Sequence, residues 1–355
     1  MGKNNFDFLR LLFATFVIIT HSYPLSGNIE CDWLCEITNG KMLFSYLGVR
    51  GFFIISGYLI FQSLLRSKGL VDYYWKRFLR LFPALLVVLL LTILLAPLVY
   101  ESTVNYLSNP SIYSYVYKNM SLYRLQYTIP GVFENNIYGS AINGSLWTIC
   151  YEFSMYLLLS ALLFFRSNLK FLRLLLVFLL VAFGMFFFFF KTNYEFTFYQ
   201  LSSGLLSDLG IYFLAGSFLA SIHFEKFKSI KLLLLVSFVI LTLNELFIDE
   251  FSLIRFVFLP ILVIGFGLQS TKFINCINEK IGDISYGIYI YGFPVQQTLM
   301  HYYKFSPTIL TLLSIPITVV FAFASWHLIE KKALSYKKNN PLDLVGGLFL
   351  KPQKK

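Results

Sequence analysis

The sequence predicts an all-α protein, a polytopic transmembrane helix bundle of about ten spans with both chain ends on the cytoplasmic side. Three observations predict it. Only 13% of the 355 residues are charged and 57% are hydrophobic, whereas a soluble domain is roughly one quarter charged because it must wet its whole surface. Apolar runs at 81–99, 171–190 and 253–269 reach or approach the roughly 20 residues that cross a bilayer as a helix. The Lys and Arg residues, finally, collect on alternate sides of such runs.

In chain order the spans fall at about 6–24, 42–63, 78–100, 145–165, 171–190, 207–222, 230–248, 252–270, 281–302 and 306–328. The first is no cleaved signal peptide, since Arg10 interrupts it, no small-residue cleavage site follows and many equivalent runs come after it. The sixth is the shortest and opens on the polar Ser207 and Asp208. Positions 101–144 form the longest stretch between spans and are expected to be an outer loop. One set of alternate segments holds Lys3, Arg66, Lys68, Lys76, Arg77, Arg80, Arg166, Lys170, Arg173, Lys226, Lys228, Lys231, Lys272, Lys280 and seven residues from Lys331 to Lys355, 21 of the 29 Lys and Arg. The opposite loops hold 5, and Arg10, Arg50 and Arg255 lie in or beside spans. Basic residues accumulate in cytoplasmic loops, so both ends face the cytoplasm. The bundle then occupies 1–334, and 335–355 form a basic cytoplasmic tail. The same bias, with attraction to anionic inner-leaflet lipids, accounts for the net charge of +11 and removes any need for a nucleic-acid partner. Cys31 and Cys35 share the first outer loop, as a disulfide if that side is oxidising or as two thiols. Cys150 and Cys276 read as apolar filler.

Ionisable groups inside a bilayer cost several kcal/mol and point to function. The first span carries Asp7, Arg10 and His21. Asp7 and Arg10 are three apart and share a face. Arg10 and His21 are eleven apart, three turns plus about 20°, so they face the same way about 16 Å apart along the axis. A second cluster, Lys76, Arg77 and Arg80, stands at the cytoplasmic foot of the third span. Such a run is commonly a juxtamembrane anchor, but it also suits a phosphate, which Arg forks bind well. A third opens the fourth span: Ser145, Trp147 and, two turns in, Glu152, expected at the depth of His21 and a natural partner for its imidazole. The breaks at 48–57 and 283–287 read as close-packing sites of small residues.

These motifs together resemble the membrane-bound acyltransferase-3 family, whose members O-acetylate surface glycans, from Asp7 to about Leu334. Arg10-x10-His21, preceded by Asp7, resembles the family's opening motif. Gly51-Phe-Phe-Ile-Ile-Ser-Gly-Tyr-Leu-Ile60 is similar to its second-span signature, and Lys76-Arg-x-x-Arg80 to its Arg-Arg-x-x-Arg. Ser145-Leu-Trp-Thr-x3-Glu152, Ile284-Ser-Tyr-Gly-Ile-Tyr-Ile-Tyr and Leu328-Ile-Glu-Lys331 resemble later elements. Two departures stand out: Gly292 sits where a His is frequent, and Lys332 replaces a frequent Pro. The chain resembles the stand-alone form, without a fused SGNH-type hydrolase domain.

The resemblance implies an acetyl-CoA-dependent O-acetyltransferase of the inner (plasma) membrane, acting on a surface polysaccharide or glycolipid, with no metal. Lys76, Arg77, Arg80 and Arg10 would hold the donor. His21 would act as general base or carry the acetyl group, assisted by Glu152, with Arg10 and Asp7 completing the catalytic set. Ser145, Trp147, Ser56 and Tyr58 would line the acceptor path, beside the tyrosines of 101–144. A transporter or flippase also explains intramembrane charge, though not the Lys76, Arg77, Arg80 trio. A succinyl donor would want a further cation in the outer half, for which Arg50 and Arg255 are the candidates.

Overall fold

A computed structural model describes residues 4–192, 196–199, 201–248 and 253–338. Each of the ten predicted spans is occupied by one helix: α1 (Phe6–Leu25), α3 (Phe44–Arg66), α4 (Leu70–Leu95), α6 (Trp147–Ser160), α7 (Leu169–Thr192), α8 (Ser203–Ser221), α9 (Ile230–Phe247), α10 (Ile254–Leu268), α12 (Ser285–Tyr302) and α13 (Pro307–Ser325). Short helices intervene at α2 (Trp33–Ile37), α5 (Pro110–Met120), α11 (Ile277–Ile281) and α14 (Lys331–Ser335). Among the described residues, eight helices, some extended by flanking turns, are long and apolar enough to cross a membrane. The other two predicted spans are α10, with 15 residues, and α12, which carries Gln296, Gln297 and His301. The chain is a multi-pass membrane protein. Its predicted tail begins as α14 and a 3-10 turn, Tyr336–Lys338; positions 339–355 lie outside the described residues.

The sixth predicted span is a helix, and α8 is the most deeply buried of the eight candidates. Its polar start is satisfied internally, since Ser207 Oγ donates to Ser203 O (2.7 Å) and Asp208 forms an ion pair with Arg50 of α3. The expected loop 101–144 is folded, with Tyr113, Tyr117 and Tyr138 exposed and Tyr115 buried. Asn109 caps α5 through its side chain, which accepts from Ser111 N (3.0 Å), and Ile112, Tyr115, Ile129, Val132, Phe133 and Ile142 are all buried. Tyr106 and Tyr123 are spent on Ile93 O (2.7 Å) and Ser154 Oγ (2.9 Å). The segment is a packed cap, tied to α12 where Asn136 Nδ2 donates to Gln297 Oε1 (2.8 Å) and Gln297 Nε2 to Ala141 O (2.7 Å). On the same side Cys31 and Cys35 are joined as a disulfide. Beside it the buried Asp32 accepts from Thr20 Oγ1 and Phe44 N, tying α1 to the start of α3.

Helix α3 is the centre of the bundle, and its glycines set how closely α8 approaches. A Cβ on Gly57 would lie 1.9 Å from Phe213 O, and one on Gly216 would lie 2.1 Å from Ile54 O. Both obstacles are backbone, which cannot swing aside, so this is the small-residue crossing that membrane helices use to pack closely. Further along the same interface Arg50 pairs with Asp208, and beside it Arg255 of α10 pairs with Glu245 of α9 (Nε to Oε1, 2.7 Å). Tyr46 lies against the Arg50 guanidinium at 3.5 Å and its hydroxyl meets that of Tyr212 at 3.0 Å. Overpacking a tight contact costs about 1–3 kcal/mol. Gly57→Ala and Gly216→Ala should each lower the midpoint of thermal unfolding in detergent by several degrees, while Gly69→Ala, whose Cβ would meet nothing within 4 Å, should not.

Candidate active site

Helix α1 lays one face along α12. Ile18 meets Gly292, Gln296 Nε2 donates to Ile18 O (2.9 Å), and the His21 ring stands edge-on to Phe293 with centroids 5.4 Å apart. At the other end of the same face Arg10 Nη1 reaches Asp283 Oδ2 at 3.0 Å. Arg10 and His21 therefore do share a face, directed at α12. Arg80 Nη2 of α4 reaches the same carboxylate oxygen at 2.9 Å, so one buried aspartate holds two guanidinium groups from two helices. Its other oxygen accepts from Ser285 Oγ (2.8 Å). Asp283 gets there through Gly282, which has φ of +86° and would place a Cβ 2.0 Å from Trp326 Nε1; that conformation and that contact both select glycine. Asp7 braces Arg10 from below and accepts from Asn278 Nδ2 (2.8 Å).

The basic trio divides. Lys76 is held by Asp72 one turn earlier (2.7 Å). Arg77 is buried and has no ion pair among the described residues; it donates to Ser63 Oγ (3.1 Å) between the rings of Tyr73 and Tyr156, and its Nε has no partner. Arg80 lies 5.9 Å from the centroid of Tyr286. Two acidic and basic groups join that the sequence had not marked as site residues. A π-helical turn over Trp326–Glu330 turns Glu330 into the interior, where it accepts from Ser325 Oγ (3.0 Å) within electrostatic range of Arg80. Such turns recur at functional sites. The segment after α14 folds back so that Trp75 Nε1 donates to Tyr336 O (3.1 Å), and Lys337 lies within electrostatic range of Arg80, Arg77, Asp283 and Arg10. Asp283 and Glu330 could have been found by treating every ionisable residue at a span end as a candidate; Lys337 could not.

Glu152 is not the partner of His21. The start of α6 is sunk into the bundle, with Asn143 Nδ2 donating to Ile290 O (2.9 Å) and Gly144 against Phe293. Two turns further on, Glu152 lines one small pocket with Tyr286 and Tyr289, one to two turns along α12 from the Phe293 that His21 touches. Its carboxylate accepts from Ser56 Oγ (2.8 Å) and Tyr156 Oη and faces the Arg77 and Arg80 end. The depth expected from counting turns failed because the preceding segment dips inward instead of ending at the surface.

The other expected site residues scatter. Ser145 is buried with an unpartnered hydroxyl, and Trp147 packs on Tyr151. Ser56 belongs with Glu152. Tyr58 lies toward the opposite end of α3 from the acceptor side, donating to Glu225 Oε2 (2.9 Å) beside Phe6, and so does not line an outer path. Burial would raise the Glu225 carboxyl, but hydrogen bonds from its own backbone, Tyr58 and His223 hold it below the usual carboxylate range. His21 makes no hydrogen bond or ion pair among the described residues. Above it, Phe293 carries Tyr138 on its far edge at 5.8 Å, and Tyr138 is exposed. Arg50 and Arg255 are both neutralised by carboxylates, leaving neither free for a charged acyl group. Among the described residues no group of three or more His, Cys, Asp or Glu could hold a metal ion.

A family profile described as an acyltransferase domain matches residues 3–327. An O-acetyl transferase of Shigella phage Sf6 is 28% identical over 94% of this chain and 97% of its own length. Nodulation protein 10 of Rhizobium leguminosarum bv. viciae is 33% identical over 45% of this chain and 44% of its own. No solved structure matches the chain.

Removing one member of a buried charge cluster costs roughly 3–5 kcal/mol because the partner charge stays behind. Asp283→Ala should therefore destabilise the protein strongly in a thermal melt. Adding Arg80→Leu should recover part of the loss; a double variant less stable than the single would mean the two groups do not depend on each other.

Proposed function

The chain belongs to the acyltransferase domain family, and from that premise we propose that it is an O-acetyltransferase of the plasma membrane. It would take acetyl from cytoplasmic acetyl-CoA and pass it to a hydroxyl of a surface polysaccharide or glycolipid on the other side. The observation that carries the reading is the order of groups along α12: the cations at Asp283, then Glu152 beside Tyr286 and Tyr289, then His21 at Phe293. This is a line from a polyanion site to a base.

Arg77 and Arg80 receive the phosphates of the donor, with Lys76 at the rim and Arg10 beside the thioester arm. Arg77 supports this best, because a buried guanidinium without a carboxylate and with an unpartnered Nε is costly unless an anion joins it. The lysine and arginine bias puts this end in the cytoplasm, where the donor is. His21, lacking any partner of its own, takes the proton of the acceptor hydroxyl. The acceptor oxygen bonds to the acetyl carbonyl carbon, the carbon–sulfur bond breaks, and the imidazolium returns the proton to the departing thiolate. An imidazole can accept a proton and return it within the same site. The acceptor enters from the His21 end, where exposed Tyr138 on Phe293 offers a ring for a sugar face. An acetyl donor is favoured over succinyl because Arg50 and Arg255 already have acidic partners.

The decisive test is alkali-labile acetate on the host's surface glycans in a deletion strain, a strain complemented with wild type and one complemented with His21→Ala at equal expression. The expected result is loss, return and continued absence. Acetate unchanged by deletion, with glycan export altered, would instead favour transport. Separately, Arg77→Ala with Arg80→Ala should weaken CoA binding by the purified protein at least tenfold, and unchanged affinity would remove these residues from the donor site.

A further inference from the structure

Between the cation cluster and His21 lies a small, partly open pocket of about 50 Å³, walled by Val49 and Phe52 of α3, Thr148 and Glu152 of α6, and Tyr286 and Tyr289 of α12. Its position makes it the station between the donor's phosphates and the base. Tyr286 at its lower end lies over Arg80 (5.9 Å), and Tyr289 is one turn below the Phe293 that meets His21. Phe52 is held in place by edge contacts with Tyr289 (5.8 Å) and Phe13 (6.1 Å). The one internal hydrogen bond of the wall joins Thr148 Oγ1 and Tyr289 Oη at 2.6 Å. Whichever hydroxyl donates, the other keeps a proton that it can give to a carbonyl oxygen in the cavity.

Size and charge then decide what enters. A dry cavity of about 150 Å³ accepts benzene, six carbon atoms, so about 50 Å³ corresponds to two or three non-hydrogen atoms. An acetyl group has three, a butyryl group five and a succinyl group seven. The only ionisable side chain on the wall apart from the two tyrosines is Glu152, and no Lys or Arg lines it. Arg77 and Arg80 face Glu152 from beyond the wall, so a carboxyl-bearing acyl group would meet the like charge of Glu152 first, an unfavourable arrangement away from water.

We propose that this cavity receives the acyl group of the donor and limits it to two carbons without charge, with Phe52 and Val49 setting the length and Glu152 excluding carboxylated acyl groups. The proposal rests on the acyl-CoA reading above and adds to it the residues that choose the acyl group. As the carbonyl carbon is attacked and the carbon–sulfur bond breaks, the free hydroxyl of the Thr148–Tyr289 pair faces the oxygen on which charge develops.

The test is kcat/KM of the purified enzyme with acetyl-, propionyl-, butyryl- and succinyl-CoA, together with the affinity for CoA itself, in wild type, Val49→Ala, Phe52→Ala and Phe52→Ala/Glu152→Gln. Wild type should fall at least tenfold from acetyl to butyryl and show no succinyl transfer. Either single variant should narrow the acetyl-to-butyryl ratio tenfold or more at unchanged CoA affinity, so that one suffices if the other fails to fold. Only the double variant should accept succinyl-CoA. A wild type indifferent to acyl length, or a folded variant whose ratio does not move, overturns the acyl pocket while leaving the transferase reading intact. A protein that binds CoA in no form and transfers no acyl group overturns both.

Discussion

Arg10 and Arg80 come from helices far apart in sequence and end on the same oxygen of Asp283. In a bilayer such charges are tolerated only in mutual compensation, so this carboxylate dictates where α1, α4 and α12 must meet. The consequences spread outward. Gly282 gives the chain the turn and the clearance under Trp326 that bring Asp283 into place, and the π-turn following α13 brings Glu330 to the same cluster. Asp7 and Asn278 extend it to the surface. Without that anchor the face of α1 carrying His21 would have no fixed register against Phe293 and Gln296.

The bundle answers the cost of buried charge in two ways. Toward the end that carries the Cys31–Cys35 disulfide, Arg50 and Arg255 each have a carboxylate, and Tyr46 and Tyr212 complete the set. Such a set holds α8, α9 and α10 to α3 and offers nothing to a ligand. At the other end Arg10 has both Asp7 and Asp283, and Arg80 has Asp283, but Arg77 forms no ion pair among the described residues and has only a serine hydroxyl and two aromatic rings. Incomplete compensation in a polar interior invites a ligand of opposite sign. That contrast, more than the number of basic residues, is what supports Arg77 as part of the proposed donor site.

The cap formed by 101–143 has a similar double use. By sinking the start of α6 between α12 and α3, it lowers Glu152 to the Arg77 and Arg80 end and leaves the imidazole of His21 without a carboxylate. The clamp of Asn136 and Gln297 keeps the cap seated, so the depth of Glu152 depends on a polar contact outside the region that hydropathy describes.

The sequence alone determined the order of the ten helices in the predicted spans, though not the short α2, α5, α11 and α14, because burial in lipid imposes apolar runs of a set length, and it determined that Arg10 and His21 share a face, because helical geometry is local. It also marked Arg77 and Arg80, whose charge stands out against apolar surroundings. Tertiary structure decided what those charges meet. Asp283 looked like part of a packing turn, Glu152 like the mate of His21 and Tyr58 like an acceptor-side residue. Each was misplaced because its partner lies 100 residues or more away in the chain or because a neighbouring segment bends inward. Arg50 and Arg255 read as spare cations until Asp208 and Glu245 were brought beside them. Periodicity fixes direction within one helix, whereas the compensation of a buried charge is a property of several helices at once, and that is what only the folded bundle could supply.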